Sequence, residues 1–347
     1  MERCASDVVM TGRAMCGLAE IPMKIDPTAV SVIICSKDRH QHLEQAVASV
    51  RAADPIGAQA EIVVVEEGDS PRAVVGTHYV FLPRQDRGFG YARNMAVKHA
   101  TGALLVFLDD DCEAEAGWLE ALLLPFDDDR RPVGVAGAVS VRGCGPLGYA
   151  ENILGFPAGG LRYRHEARGH IQRTHYLSTC NCAYRREALV QAGGFPEEAR
   201  NGNEDALLAE RVSASGLCVY TPHAVVYHRA RDRWGAIFHW FMRRGASELA
   251  TFGNRLHPVT FGGYVLRSSW SLRLLILLVV MAVIPSGVRW LPFALGMYYI
   301  TTLWRFRFAR QYPSHRIGWW VVPLVKMTMD VGNEIGRLRF LMVRAGS

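Results

Sequence analysis

The chain has 347 residues, half of them hydrophobic, with 39 Lys+Arg against 33 Asp+Glu. A chain of this size holds a sizeable buried core, which excludes a scaffold that depends on disulfides for stability. The net charge of +6 is unevenly placed: residues 1–228 hold 22 basic and 29 acidic residues, a net of −7, and residues 229–347 hold 17 and 4, a net of +13. The basic residues of the second part are interleaved with long apolar runs. That pattern excludes a nucleic-acid partner and favours an anionic lipid surface. The eight cysteines include no C-x-x-C pair, and Cys180-Asn181-Cys182 is the one close spacing. Reduced thiols are expected.

Residues 1–27 lack the apolar core of a signal peptide and read as a flexible extension, with Met23 an alternative start. Val30 to Cys35 is a β-branched run typical of a buried strand, and His42 to Ala52 has helical spacing. Glu61 to Val65 and Tyr79 to Leu82 read as strands, and Tyr91 to Ala100 as a helix. Leu104 to Leu108 is a strand that ends in Asp109-Asp110-Asp111. A helix over Trp118 to Phe126 and a strand over Val133 to Val141 follow. This alternation predicts an α/β fold with a mostly parallel sheet covered on both faces, its ligand crevice lying beyond the carboxyl ends of the strands.

Residues 142–180 are rich in Gly and Arg with little periodicity and are expected to form loops. Helices are predicted over Arg185 to Ala192 and Asp205 to Ala214, and strands over Leu217 to Tyr220 and Val225 to Tyr227. Trp234 to Ala250 is an aromatic, basic-edged helix. Leu274 to Ile284 and Leu291 to Trp304 are apolar, separated by Pro285-Ser286-Gly287. Each is shorter than the roughly 20 residues that cross a bilayer directly. Extending the first back to Tyr264 supplies the length, so a membrane hairpin with both ends cytoplasmic is expected. Ile317 to Val331 is amphipathic and suits the interface. The organisation expected is an extension over 1–27, a catalytic domain over 28–230, a helical linker over 231–262, and membrane-associated helices over 263–347.

Three groups of residues carry chemistry. The first is the acidic triplet. Three carboxylates ending an apolar strand repel one another unless a cation or hydroxyls offset them, and Asp109 and Asp111 point to the same side of an extended chain. The second triplet, Asp127-Asp128-Asp129, follows a helix and reads as solvated loop. A Gly-containing turn into a helix, residues 84–94, suits phosphate. Glu204 and Asp205 open a predicted helix, where a carboxylate acts either as a cap or as a general base.

In order, VSVIICSKDR, EIVVVEEGDS, RGFGYARNMAVKHATG, LLVFLDDDC, TCNCAYRREALVQAGGFPE, NEDALLAERVSASG and His228 resemble the family 2 inverting glycosyltransferases of the GT-A fold. The resemblance spans about residues 30–230. It implies that Glu66 or Glu67 contacts the nucleotide base, where aspartates are usual. It places Ser36 and Asp38 near the nucleotide, has Arg93 orient it, and sets Asp109 on the ribose or donor sugar. Asp110, Glu204 and Trp234 fall on the substrate side. Asp111 and His228 would hold Mg²⁺ or Mn²⁺ at the diphosphate, and Asp205 would deprotonate the acceptor hydroxyl. Processive members carry Gln-x-x-Arg-Trp, but here Ala230 precedes Arg233-Trp234, which points to non-processive transfer. The expected partners are a nucleotide-sugar donor and a membrane lipid or lipid-linked glycan acceptor. A catalytically silent nucleotide- or glycan-binding protein of the same fold is the alternative. A nucleotidyltransferase would leave Asp205 and the Gly-Gly-Phe segment without a role.

Overall fold

A computed structural model describes residues 26–199, 202–252, 258–284 and 287–345. The chain divides into two compact units. The first comprises residues through Val139, Tyr163–Glu197 and Glu204–Tyr227, and the second Ser140–Arg162, Glu198–Asn203 and His228 onward. The second unit thus draws on segments inside the 28–230 stretch.

The first unit is built on β1 (Val30–Lys37), β2 (Glu61–Gly68), β3 (His78–Pro83), β4 (Leu104–Asp109), β5 (Cys112–Ala114), β6 (Gly134–Ser140), β7 (Gln172–Arg173), β8 (Asn181–Arg185) and β9 (Cys218–His228). Its helices are α1 (His40–Ala53), α2 (Pro55–Gln59), α3 (Phe89–His99), α4 (Trp118–Leu123), α7 (Arg186–Gln191) and α8 (Glu204–Ser215). The strand order is β3-β2-β1-β4-β8-β6-β9-β5, with β7 paired to β9. The first four strands are parallel, and β8 is antiparallel to both β4 and β6. The sheet is therefore mixed, its parallel part built from the βαβ units expected from the alternation. Two predicted strands, 217–220 and 225–227, are one continuous strand, β9.

Burial follows from composition. The apolar runs of β1, β2 and β4 are buried on both faces, as central strands require. Phe107 of β4 meets Tyr184 and Phe195 edge-on, at 6.0 and 5.1 Å between centroids. Asn181 ties the centre together: its amide donates to the carbonyls of Ala138 and Ala224, each at 2.9 Å, and accepts from the Trp118 indole at 2.9 Å. A Cβ on Gly137 would collide with that amide, so only glycine fits there.

The second unit is helical: α5 (Pro146–Ile153), α9 (Trp234–Phe252), α10 (Pro258–Ser268), α11 (Trp270–Val283), α12 (Leu291–Arg305), α13 (Arg316–Trp319) and α14 (Val322–Ala345). A further helix, α6 (Gly160–Ala167), spans the boundary. Residues 142–180, expected as loops, thus contain two helices. Their glycines and arginines obscured the short apolar periods of Ala150, Ile153 and Leu161, all buried. Helix α14 packs on α9 through glycines. A Cβ on Gly336 would collide with the Met242 carbonyl, so the two backbones come into direct contact. Ile237, Phe241, Val322, Val325 and Met329 fill the seam. The amphipathic segment predicted over 317–331 is two helices, α13 and α14, and the second runs on to Ala345.

Among the described residues no single helix is long and apolar enough to cross a membrane. The extension of the first apolar stretch back to Tyr264 is broken: the 262–268 and 270–283 helices meet at 92°. Asp330 accounts for the bend. Its Oδ2 accepts from the Trp270 and Ser271 amides at 3.0 and 3.1 Å, fixing a new helix start.

Candidate active site

The strand order reverses at β1, between β2 and β4, so a crevice opens beyond the carboxyl ends of β1 and β4. The candidate residues of the first unit collect there. Asp109 is the last residue of β4; Asp110 and Asp111 form the turn into β5, which lies at the far edge beside β9.

Each carboxylate has a different environment. Asp109, partly open, accepts from Arg93 Nη2 at 3.2 Å and from the Cys180 thiol at 3.0 Å. Asp110 is buried, accepts from the Ser36 hydroxyl at 2.7 Å and pairs with Arg39 Nη2 at 3.0 Å. Burial pushes its carboxyl up to about 7, against the pull of Arg39 and with the push of Asp111. Asp111 is partly open and pairs with Arg39 Nη1 at 2.6 Å. Arg39 was not singled out from the sequence, although it follows directly on the Ser-Lys-Asp run ending β1. Its guanidinium is the cation that offsets two of the three charges.

Arg93 is 6% exposed, so its guanidinium does not face the crevice. It bridges Asp109 of β4 and Glu204 of α8. Desolvation opposes its charge, but the flanking carboxylates, Glu204 first, outweigh it and hold the guanidinium protonated. Burial raises Glu204 above the usual carboxylate range, although Arg93 opposes this. Asp205 follows Glu204 in the first turn of α8 and is half-buried; its Oδ1 accepts from the Ala206 amide at 2.8 Å. The general-base candidate is therefore linked to the acidic strand end through its neighbour's ion pair.

The two glutamates after β2 are buried and engaged inside the protein. Glu66 lies 3.2 Å from His40 Nδ1 and accepts from the Tyr79 hydroxyl at 2.7 Å. Glu67 accepts from the Gln85 and Asp86 amides at 3.1 and 2.9 Å, holding the segment after β3. Asp38, in the left-handed region at φ 57°, accepts both Nη groups of Arg84 at 2.8 and 2.6 Å. Arg84 also reaches Asp69 at 2.9 Å. The basic segment expected for phosphate thus begins with an arginine committed to carboxylates. Asn94 explains the Gly-Gly-Phe segment: its side chain donates to the Phe195 carbonyl and accepts from the Phe195 amide, each at 2.9 Å.

His228 and Trp234 belong to the second unit. His228 closes β9, its Nδ1 2.7 Å from the Arg229 carbonyl, and Trp234 opens α9 with its side chain 44% exposed. In the first unit, Asp109 and Asp111 offer partly open carboxylate oxygens, the hard donors that Mg²⁺ and Mn²⁺ take. Asp110, enclosed by Ser36 and Arg39, does not.

The sequence profile described as Glycosyl transferase family 2 matches residues 31–192. A glucosyl-dolichyl phosphate glucuronosyltransferase of Haloferax volcanii is 21% identical over 230 residues, covering 58% of this chain and 66% of that protein. Glycosyltransferase AglE of the same organism is 24% identical over 220 residues, covering 58% and 67%. The chain thus spans about two thirds of the length of these relatives. A mannosyltransferase from Pyrobaculum calidifontis, solved with GDP-Man and Mn²⁺, superposes with a TM-score of 0.50 at 18% identity, covering 89% of this chain and 88% of that one. That likeness concerns the GT-A fold alone.

Proposed function

We propose that this chain, a family 2 glycosyltransferase by its domain at residues 31–192, moves one sugar at a time from a nucleotide-sugar donor to the hydroxyl of a lipid-linked or membrane-proximal acceptor, with inversion. The observation that carries the reading is the linked pair of acidic centres: the partly open Asp109 and Asp111 at the end of β4, joined through Arg93 and Glu204 to Asp205 on α8.

In this mechanism the donor lies beyond β1 and β4. Asp109 accepts hydrogen bonds from donor hydroxyls. Asp111 would hold Mg²⁺ or Mn²⁺, which would supply positive charge to the leaving diphosphate. The assignment of His228 as a second ligand rests on the resemblance. Asp205 takes the acceptor proton as the acceptor oxygen attacks the anomeric carbon, a displacement that needs no covalent sugar–enzyme intermediate. Ser36 and Arg39 hold Asp110 so that it does not compete for the ligand. Glu66, Glu67 and Asp38 shape the nucleotide end of the crevice through His40 and Tyr79, the Gln85 and Asp86 amides, and Arg84.

The similarity to lipid-linked sugar transferases supports the acceptor class. One Haloferax protein is a glucosyl-dolichyl phosphate glucuronosyltransferase, and by analogy this chain works at a membrane; the basic residues flanking its apolar helices favour a cytoplasmic catalytic unit. The test is a panel of nucleotide sugars offered to detergent-solubilised protein with Mg²⁺ or Mn²⁺, with and without membrane lipid extract. The expected result is lipid-dependent release of nucleoside diphosphate from one donor, abolished by a chelator. Release of pyrophosphate, or donor binding with no release under any lipid, would overturn the reading.

A further inference from the structure

The second unit presents an apolar surface that its own packing does not cover. Along α12, Phe293, Met297, Ile300 and Trp304 are 62, 42, 61 and 66% exposed, at helical spacing on one side. Leu275, Ile276, Val279, Val280 and Val283 are similarly open on α11. On α14, Leu324, Val331, Ile335, Leu338 and Met342 form an exposed stripe, while Val322, Val325 and Met329 are buried in the unit's core. Helices α11 and α12 both pack on α14. Three neighbouring helices therefore each carry exposed large apolar side chains, the kind of surface that marks an interaction site.

Charge identifies what covers this surface. Arg267, Arg273, Arg305, Arg307, Arg310 and Arg339 are exposed on the same helices and the turns that join them. Residues 258–345 contain two acids, Asp330 and Glu334. Asp330 pairs with Lys326 and caps α11, and Glu334 pairs with Arg337 at 2.7 Å. Among the described residues no carboxylate pairs with these six arginines, which leaves them available to an external anion. Several stack on indoles: Arg305 on Trp270 at 5.1 Å, Arg307 on Trp304 at 4.4 Å and Arg310 on Trp319 at 5.2 Å. Tryptophan with arginine is the composition of a headgroup layer. A second copy of this chain would set like charges against each other.

Length bears on the orientation. Helices α11 and α12 have 14 and 15 residues, about 21 and 22 Å at roughly 1.5 Å per residue, against a hydrocarbon thickness of about 30 Å. Both ends of this pair carry interfacial side chains, Trp270 and Arg305 at one and Arg289 and Trp290 at the other.

We propose that α11, α12 and the outer stripe of α14 form a single docking surface that lies in the plane of one leaflet of an anionic bilayer, apolar stripes inward and arginines at the phosphates. This deepens the membrane attachment of the proposed function, and it is measured without donor or acceptor, so the failure of either is separable.

The full chain is mixed with sealed vesicles of phosphatidylcholine alone or with phosphatidylglycerol and floated on a density gradient. Binding is expected to be at least about tenfold stronger to the anionic vesicles. Removing Arg305 and Arg307 as glutamines should weaken it roughly fivefold each. Ile300→Asp with Ile335→Asp, both at exposed positions, should abolish it with the melting temperature unchanged. A Val288→Cys variant reports depth. It should not react with an impermeant maleimide sealed inside the vesicles, beyond the reaction of the parent protein. Luminal labelling would show a hairpin that spans and would overturn the in-plane arrangement. Equal binding to both lipids, or a stable dimer whose formation blocks flotation, would overturn it too.

Discussion

Asp109-Asp110-Asp111 and Asp127-Asp128-Asp129 are the same tripeptide, and the fold treats them in opposite ways. The first ends a buried strand. Its members share two arginines, a serine and a thiol, and the middle carboxyl is pushed up to about 7 by burial. The second follows α4, and its middle carboxylate accepts the Arg130 guanidinium and amide at 2.7–2.9 Å, which lowers it to about 2. Identical residues acquire a raised or a lowered pKa according to whether burial or a hydrogen-bonding arginine dominates. A charge cluster therefore signifies chemistry only where the preceding residues bury it.

The sharpest way to test that contrast is to remove the chemistry from the buried triplet and its linked base. Asp205→Asn should lower kcat by about 10²–10⁴-fold while donor affinity stays within about threefold. Asp111→Asn should remove metal-stimulated turnover. Steady-state kinetics and donor titration check both, and full activity in either variant would take that residue out of the mechanism.

The next effect is on the bridge. Arg93→Met leaves the buried Glu204 and the partly open Asp109 without their cation, at a cost of about 3–5 kcal/mol. A thermal or denaturant melt should show this, and adding Glu204→Gln should recover part of it. A loss below about 1 kcal/mol would mean that the ion pair is not the link between β4 and α8.

Arg39→Ala removes the guanidinium that competes for Asp111. A charge-assisted hydrogen bond contributes about 1.5–3 kcal/mol, so Mn²⁺ should bind the nucleotide-free variant about tenfold more tightly by calorimetry. Unchanged affinity would mean that Arg39 and the metal do not share that oxygen.

The smallest effect belongs to the second triplet. Asp128→Ala should leave activity unchanged and shift stability by no more than about 1 kcal/mol, since the pair with Arg130 is solvent-screened. Asp128 sits lower in the folded than in the unfolded protein. Its contribution is therefore present above about pH 4 and lost as pH falls through about 2. An activity loss in this variant would break the contrast.

Much of the parallel part of the sheet was legible because β1, β2 and β4 are uninterrupted apolar runs, each ending in a polar switch. The acidic triplet and Glu204-Asp205 were legible for the same reason: polarity changes abruptly where a buried element stops. Partner choice was not. Nothing in the order of residues says that Arg93 turns inward to Asp109 and Glu204, or that Arg39 reaches two aspartates 71 and 72 positions away. Such pairings are set by the strand order. The helices within 142–180 were missed because each spans only about two turns, too short for a period to register above glycine and arginine. The continuity of β9 was hidden by Pro222, which interrupts the pattern without interrupting the strand.

The position of β8 also sets a timetable. Strands β1, β2, β3 and β4 can pair as soon as they emerge during synthesis, but the other edge of β4 waits for Asn181–Arg185. At about 5–20 residues per second the ribosome needs about 4–15 s to cover that interval. Through it, the strand that carries Asp109 has an open hydrogen-bonding edge, the kind that recruits strands from neighbouring nascent chains. The strand end that carries the acidic triplet thus stays open on one edge until β8 is made.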